Sequence, residues 1–254
     1  MKKKAIIISI KGYNLSSKEK RLISTEKPWG LILFKRNIKS ITQIIDLIKK
    51  IRKASKDPKF PILIDEEGFT VSRLGKIFNH NSSQKLFGDI YKLNPKIASI
   101  VYKNYINNLT NFLKRIGINI NTVPVLDVIR KKTHKIIGDR SFSSNPLIVK
   151  ELGKICVYQY KSNKIGTVIK HIPGHGCTSY DSHLKTPRVK IDYRNLNKID
   201  FFPFKSNSSL FAMTAHILYS KIDKNNVATF SKKIISEIIR KKIGFKGILI
   251  SDDI

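Results

Sequence analysis

Apolar residues in this chain come in short continuous runs rather than in alternation with polar ones. Ala5–Ile10, Leu31–Phe34, Pro61–Ile64, Ile118–Val125, Thr167–Ile172, Phe211–Ala215 and Gly247–Ile250 are each rich in β-branched residues and bounded by polar residues, Gly or Pro. A run of this length without alternation predicts a strand covered on both faces, as in a parallel sheet. Between several runs the period changes to that of a helix. Ser40–Arg52 sets Ile41, Ile44, Ile45, Ile48 and Ile51 on one face, and Ser40 with Gln43 reads as a capping box. Ala98–Ile116 is a long helical pattern stopped by Gly117, and Pro146–Tyr160 is another. Ser231–Ile243 carries Ile234, Ile235, Ile238 and Ile239 on one face, with Ser231 as N-cap and Gly244 as stop.

Strand, helix and strand in repetition predict βαβ units. Lys11-Gly12-Tyr13-Asn14 after the first strand is no Gly-rich phosphate turn, which argues against a dinucleotide-binding open sheet. Seven βα-type strands fit a TIM-type (β/α)8 barrel lacking its last βα unit. No linker, repeat or low-complexity tract divides residues 1–254, so one α/β domain is expected.

Composition narrows the class. The chain has 254 residues, 41% hydrophobic and 26% charged, which excludes wholesale disorder. Cys156 and Cys177 are too few for a disulfide framework and fit a reducing compartment. No apolar run approaches the roughly 20 residues of a membrane span. Met1-Lys2-Lys3-Lys4 before Ala5–Ile10 mimics a signal peptide, but the apolar run is short and no small-residue cleavage site follows. A buried first strand and a cytoplasmic location are expected.

Lys and Arg number 49 against 18 Asp and Glu, a formal net charge of +31. The basic residues are spread along the whole chain rather than gathered in a stripe, so a basic nucleic-acid-binding protein is only the lesser alternative and no nucleic-acid partner is expected. The acids are less scattered. Asp65, Glu66, Glu67, Asp127, Asp139, Asp181, Asp252 and Asp253 make up eight of the 18, and they sit near strand ends or in one loop. In a βα barrel the reacting groups sit at the C-terminal ends of strands. Asp65-Glu66-Glu67, Asp127, Lys170-His171, His216 and Asp252-Asp253 occupy those positions.

The segment Lys170–His183 holds three of the six histidines. Asp181 or Cys177 could join them in a metal site, although Pro173, Gly174 and Gly176 predict a mobile loop that would hold one poorly. Alternatively, Asp181 and His183, two residues apart, could face one way in an extended loop. Asp181 would then fix the tautomer of a His183 that gives and takes a proton. A plain turn with a solvated imidazole is the third reading. Asp252 at the end of a strand reads as nucleophile, metal ligand or cap. Arg73 and Arg140 are fork-shaped donors suited to carboxylates or sugar hydroxyls, or else ordinary surface cations.

The motifs are recognisable together. KHIPGHGCTSYDSHLKTP at Lys170–Pro187 resembles the signature loop of glycoside hydrolase family 3 β-N-acetylhexosaminidases, most closely the bacterial cytoplasmic peptidoglycan-recycling type. GLILFKRN at Gly30–Asn37, LIDEEG at Leu63–Gly68, VPVLDV at Val123–Val128, GDRSF at Gly138–Phe142, MTAH at Met213–His216 and GFKGILISDD at Gly244–Asp253 match in order. The resemblance implies a retaining exo-β-N-acetylglucosaminidase without metal or organic cofactor. It implies Asp252 as nucleophile, His183 as acid/base oriented by Asp181, and Asp65, Arg73, Arg140, Lys170 and His171 as sugar-binding residues. The implied substrate is a muropeptide bearing GlcNAc on 1,6-anhydro-N-acetylmuramic acid. No membrane or nucleic-acid partner is implied, and a monomer is expected.

Three departures stand out. Cys177 replaces the loop's usual Asp. Phe69 and Thr70 replace the usual Gly-Arg. The family's barrel continues beyond the point matching Ile254, so the resemblance implies an unclosed, truncated barrel with exposed edges on strands 1 and 7. A remnant without turnover, or half of a split enzyme completed by a second chain, is the alternative this departure raises.

Overall fold

The computed structural model describes residues 3–179 and 186–253. Its main sheet has seven parallel strands: β1 (Lys4–Ile8), β2 (Pro28–Leu33), β3 (Ile62–Ile64), β4 (Ile120–Asn121), β5 (Gly166–Ile172), β7 (Phe211–Thr214) and β9 (Ile248–Ser251), hydrogen-bonded in that order. The pair β6 (Arg188–Val189) and β8 (Leu218–Tyr219) forms a separate two-stranded parallel sheet that the sequence pattern did not reveal. The helices are α1 (Ser17–Glu26), α2 (Ile41–Ser55), α3 (Gln84–Leu93), α4 (Pro95–Ile116), α5 (Pro146–Ser162) and α6 (Tyr193–Lys198), followed by a π-wound helix at Ile234–Ile243. None of the described helices is long and apolar enough to cross a membrane. The seven runs read as strands are the seven strands of the sheet, and among the described residues β1 and β9 are its two edges. The first strand, expected to be buried, is exposed to half-buried along its length, because an edge strand has a neighbour on one side only.

Helix starts follow side-chain chemistry. Ser40 caps α2 by accepting the Gln43 amide, as expected. The reciprocal half of the capping box is absent. Gln43 Oε1 instead accepts the Lys39 amide at 2.8 Å, and its Nε2 donates to the Tyr13 and Asn37 carbonyls, tying the β1–α1 connection to α2. Ser231 Oγ accepts the Ile234 amide at 3.0 Å at the head of the last helix. The predicted strand Ile118–Val125 is regular only at Ile120–Asn121, with one further bridge from Val125 to Lys170.

The core has two compartments. Helix faces such as Ile44, Leu47, Ile48 and Ile51 of α2 and Ile234, Ile238 and Ile239 of the last helix are buried against the outer face of the sheet. Each such side chain contributes about 1.5–3 kcal/mol through area removed from water. Inside the curl, Leu63, Ile120, Val168 and Phe211 form a second cluster, flanked by Ile7, Trp29, Ile32, Met213 and Ile250. Trp29 meets Phe211 edge-on at 5.3 Å. All seven strands contribute to this inner layer, as in the packed interior of a βα barrel.

Candidate active site

Strand parity turns the inner apolar layer into a polar one a step further on. Side chains two residues apart on a strand share a face. Beyond Leu63, Ile120 and Val168 stand Asp65, Thr122 and Lys170, and beyond Ile250 stands Asp252. The polar layer therefore lies on the inner face at the C-terminal rim. Lys170 and His171 belong to β5 itself rather than following it.

Lys170 is the hub. Its Nζ lies 2.5 Å from Glu67 Oε1, 3.1 Å from Asp65 Oδ1 and 2.9 Å from Thr122 Oγ1, with its side chain only 3% exposed. The Thr122 hydroxyl also donates to Asp65 Oδ1. Arg73 Nη2 reaches Asp65 Oδ2 at 3.3 Å, and its buried Nε has no hydrogen-bond partner among the described residues. Arg140 grips Glu67 with two bonds, Nε to Oε2 at 2.7 Å and Nη2 to Oε1 at 3.0 Å, the fork geometry that favours Arg over Lys. Four of the five sugar-binding residues implied by the family resemblance, Asp65, Arg73, Arg140 and Lys170, thus meet in one network.

Glu67 is the residue sequence reasoning missed. It stands in the acidic triplet, where its position beyond the strand end has no fixed parity and nothing local assigns it a partner. Its neighbour Glu66 acts as an internal anchor. Glu66 accepts the Arg73 and Leu74 amides at 2.8 Å each, the Ser72 hydroxyl at 2.6 Å, and pairs with His80 Nε2 at 2.7 Å. These bonds fold the 66–80 loop so that Arg73 returns to Asp65. Thr70 donates to Asp139 at 2.6 Å, joining that loop to the Arg140 turn, while Phe69 is exposed.

His171 belongs to a second group beside the network. Its Nδ1 lies 2.7 Å from Asp127 Oδ2, and Asp127 is fully buried. The Asp127 Oδ1 accepts the amides of His171 at 3.3 Å and His175 at 2.6 Å. Residues 173–176 are buried, which corrects the expectation of a mobile start to this loop. The reason is steric. A Cβ on Gly176 would stand 1.9 Å from the Val128 carbonyl oxygen, and Gly174 at φ +142° lies against Asp200. Only glycine allows this approach. The 130–134 turn straps the same loop: Thr133 Oγ1 donates to the Gly176 carbonyl at 2.5 Å and the His134 amide to the Thr178 carbonyl at 2.8 Å. Cys177, in place of the family's Asp, turns its thiol to the Gly174 carbonyl at 3.7 Å, and burial pushes its pKa well up.

Charges at the rim are matched. Burial alone would raise the carboxyls of Asp65, Glu67 and Asp127. Together, Lys170, Thr122 and Arg73 offset it for Asp65, Arg140 and Lys170 for Glu67, and His171 with the His175 amide for Asp127, so all three stay below the usual carboxylate range. Burial lowers His175 to about 4, so it is neutral at pH 7.

Asp252 directly follows β9, with its Oδ1 accepting the Asp253 amide at 2.9 Å. The Asp253 carbonyl accepts from His216 Nε2 at 3.0 Å, placing His216 at the end of β7 beside it. Ser251 registers with Thr214, and Thr214 with Ile172. Asp252 therefore leaves the sheet two strands from β5, or about 10 Å at roughly 4.8 Å per strand. Asp181 and His183 lie outside the described residues. Among those described, no group of three or more His, Cys, Asp or Glu is placed to hold a metal ion.

An inner apolar plug capped by ionised carboxylates, fork-shaped cations and a carboxylate-backed imidazole defines the class: a βα-barrel enzyme whose rim is built to grip a polyhydroxylated ligand. The chain belongs to glycosyl hydrolase family 3; residues 2–254 match the family's N-terminal domain. Relatives it matches in this family include β-hexosaminidases. It is 32% identical to the Beta-hexosaminidase of Nitrosomonas eutropha over 98% of this chain and 72% of that one. With Beta-hexosaminidase A of Pseudoalteromonas piscicida it shares 33% identity over 91% of this chain, and it spans only 42% of that protein's length. Native NagZ from Neisseria gonorrhoeae superposes with a TM-score of 0.92 at 29% identity, covering 99% of this chain and 73% of that one. The same protein has also been solved in complex with N-trifluoroacetyl-D-glucosamine.

Proposed function

We propose that this protein is a retaining exo-β-N-acetylglucosaminidase that removes terminal GlcNAc from GlcNAc-1,6-anhydro-N-acetylmuramyl muropeptides in the cytoplasm. In this reading Asp252 attacks the anomeric carbon while His183, oriented by Asp181, protonates the leaving oxygen. His183 then takes a proton from the water that releases the sugar. Asp65, Arg73, Arg140, Lys170 and His171 hold the sugar's hydroxyls and N-acetyl group.

One observation carries the reading. The three buried rim carboxylates are each matched to a cation or imidazole and held ionised. None of them can serve as a general acid near neutral pH, where a glycosidase working with two carboxyl groups would need one protonated. The proton donor in this reading is the loop histidine that the family resemblance assigns, and an imidazole, near 6.5 when unperturbed, suits that task. Parity supports the other half, since Asp252 follows Ile250 on the inner face. The N-trifluoroacetyl-D-glucosamine bound by gonococcal NagZ supports an N-acylated amino sugar as the ligand.

The test is turnover of a chromogenic β-GlcNAc substrate by this chain. Asp252→Ala should abolish it and His183→Ala should reduce it strongly, by about a hundredfold or more for a lost general acid/base. Rates near the unsubstituted protein in either variant would end the assignment. Among the described residues β1 and β9 are the sheet's two edges, which favours a second reading, in which turnover requires a further polypeptide segment paired between them. Activity that appears only when such a segment is co-expressed would select it.

A further inference from the structure

Asp127 lies near the end of the Val123–Val128 segment, fully buried, with its carboxylate turned to His171 and the β5 exit. Its two oxygens act on different targets. Oδ2 faces His171 Nδ1 at 2.7 Å. Oδ1 accepts two backbone amides, from His171 at 3.3 Å and from His175 at 2.6 Å, where the chain leaves β5 toward residues 177–179. The His175 ring then meets the His171 ring edge-on at 5.4 Å, and its Nδ1 lies 3.1 Å from the Thr178 hydroxyl. His171 Nε2 makes no hydrogen bond to protein among the described residues, so the ring offers one nitrogen to the rim and the other to Asp127.

We infer that Asp127 is a positioning residue with two outputs: one oxygen sets the tautomer and aim of His171, and the other fixes the root of the loop that leads to His183. The inference rests on the proposed roles of His171 and His183. Its logic is the one-way chemistry of an ionised carboxylate, which only accepts hydrogen bonds. The facing Nδ1 must therefore carry a hydrogen, which leaves Nε2 free for the sugar. The two amides on Oδ1 keep the carboxylate from rotating away. A single buried side chain thereby ties the sugar site to the loop that carries the proton donor.

Two substitutions separate the outputs. In Asp127→Asn the amide oxygen must stay on the side of the two backbone N–H groups, so the NH2 faces His171 Nδ1. Imidazole-nitrogen NMR of the full chain, with the His171 signals identified by their loss in His171→Gln, should report Nδ1–H in the unsubstituted protein and Nε2–H in Asp127→Asn. Hydrogen exchange at the His175 amide should be unchanged in Asp127→Asn and at least about tenfold faster in Asp127→Ala. With the chromogenic substrate, Asp127→Asn should raise KM by about tenfold to a hundredfold, the worth of one well-aligned hydrogen bond. Asp127→Ala should lower kcat as well. An Nδ1–H signal persisting in Asp127→Asn, or unchanged His175 exchange in a folded Asp127→Ala, overturns the inference. If Asp127→Ala does not fold, the Asp127→Asn spectra decide alone. Absence of turnover in the unsubstituted chain would count against the proposed function, while the spectra would still decide the role of Asp127.

Discussion

Replacing Glu67 with alanine removes the one carboxylate that two buried cations share. Among the described residues, Lys170 Nζ would keep only Asp65 at 3.1 Å as a charged partner. Arg140, with 12% of its side chain exposed, would keep as hydrogen-bond partner among the described residues the Ile136 carbonyl at 3.1 Å. Glu67 itself is 2% exposed, so water does not easily replace it. Breaking a buried pair on one side costs about 3–5 kcal/mol, chiefly through the uncompensated charge left behind. For a chain of this size each kcal/mol moves the melting temperature by about 2–4 °C, so Glu67→Ala should melt about 6–20 °C lower. The cost should be coupled to Arg140. In a double-mutant cycle of Glu67→Ala with Arg140→Met, the double variant should be less destabilised than the sum by about 2 kcal/mol or more. The deficit should also depend on pH. The Glu67 carboxyl is held below its ordinary value, so its contribution is present above pH about 4.5 and fades as pH falls through the folded-state value. Urea titrations at pH 7 and pH 4 read both effects. A melting shift under about 2 °C at pH 7, or additive single variants, would refute the idea that the network is held by mutual charge compensation.

Other expectations follow from the same structure. His175 is neutral and buried with a pKa of about 4, whereas an unfolded histidine titrates near 6.5. Between those values the unfolded chain binds a proton the folded one refuses, so stability should fall as pH drops from 6.5 to 4, by up to about 3 kcal/mol from this group; His175→Gln should flatten that part of a urea-midpoint profile. Gly176→Ala should destabilise the fold by about 1–3 kcal/mol or displace the loop from Val128, seen as loss of His134 and Thr178 amide protection. With a net charge of +31, self-repulsion should be screened by salt, and the melting temperature should rise between about 10 and 300 mM NaCl as the Debye length shortens from about 30 Å to under 8 Å. A flat or falling profile would mean that local pairing outweighs net repulsion.

Much of the fold was legible because burial on both faces leaves a local trace in the central strands; β1 and β9 carry the same kind of apolar run although none of their residues is buried. Seven continuous apolar runs became seven parallel strands, and the caps at Ser40 and Ser231 were readable from single residues. The positions of Asp65, Asp127, Lys170, His171 and Asp252 followed from one rule, that barrel chemistry sits where strands end. Sequence could not supply pairings between residues far apart in the chain. Nothing local says that Glu67 would be gripped by Arg140, 73 residues away, or that Asp127 would hold the amide of His175. Nor did Pro173, Gly174 and Gly176 announce a packed turn, since glycine marks both freedom and close approach. Strand identity is written in a residue and its immediate neighbours, so the sequence alone determined it. Which acid meets which cation, and which way an imidazole is turned, depends on the curl that brings separate strands together, and only the tertiary structure decided that.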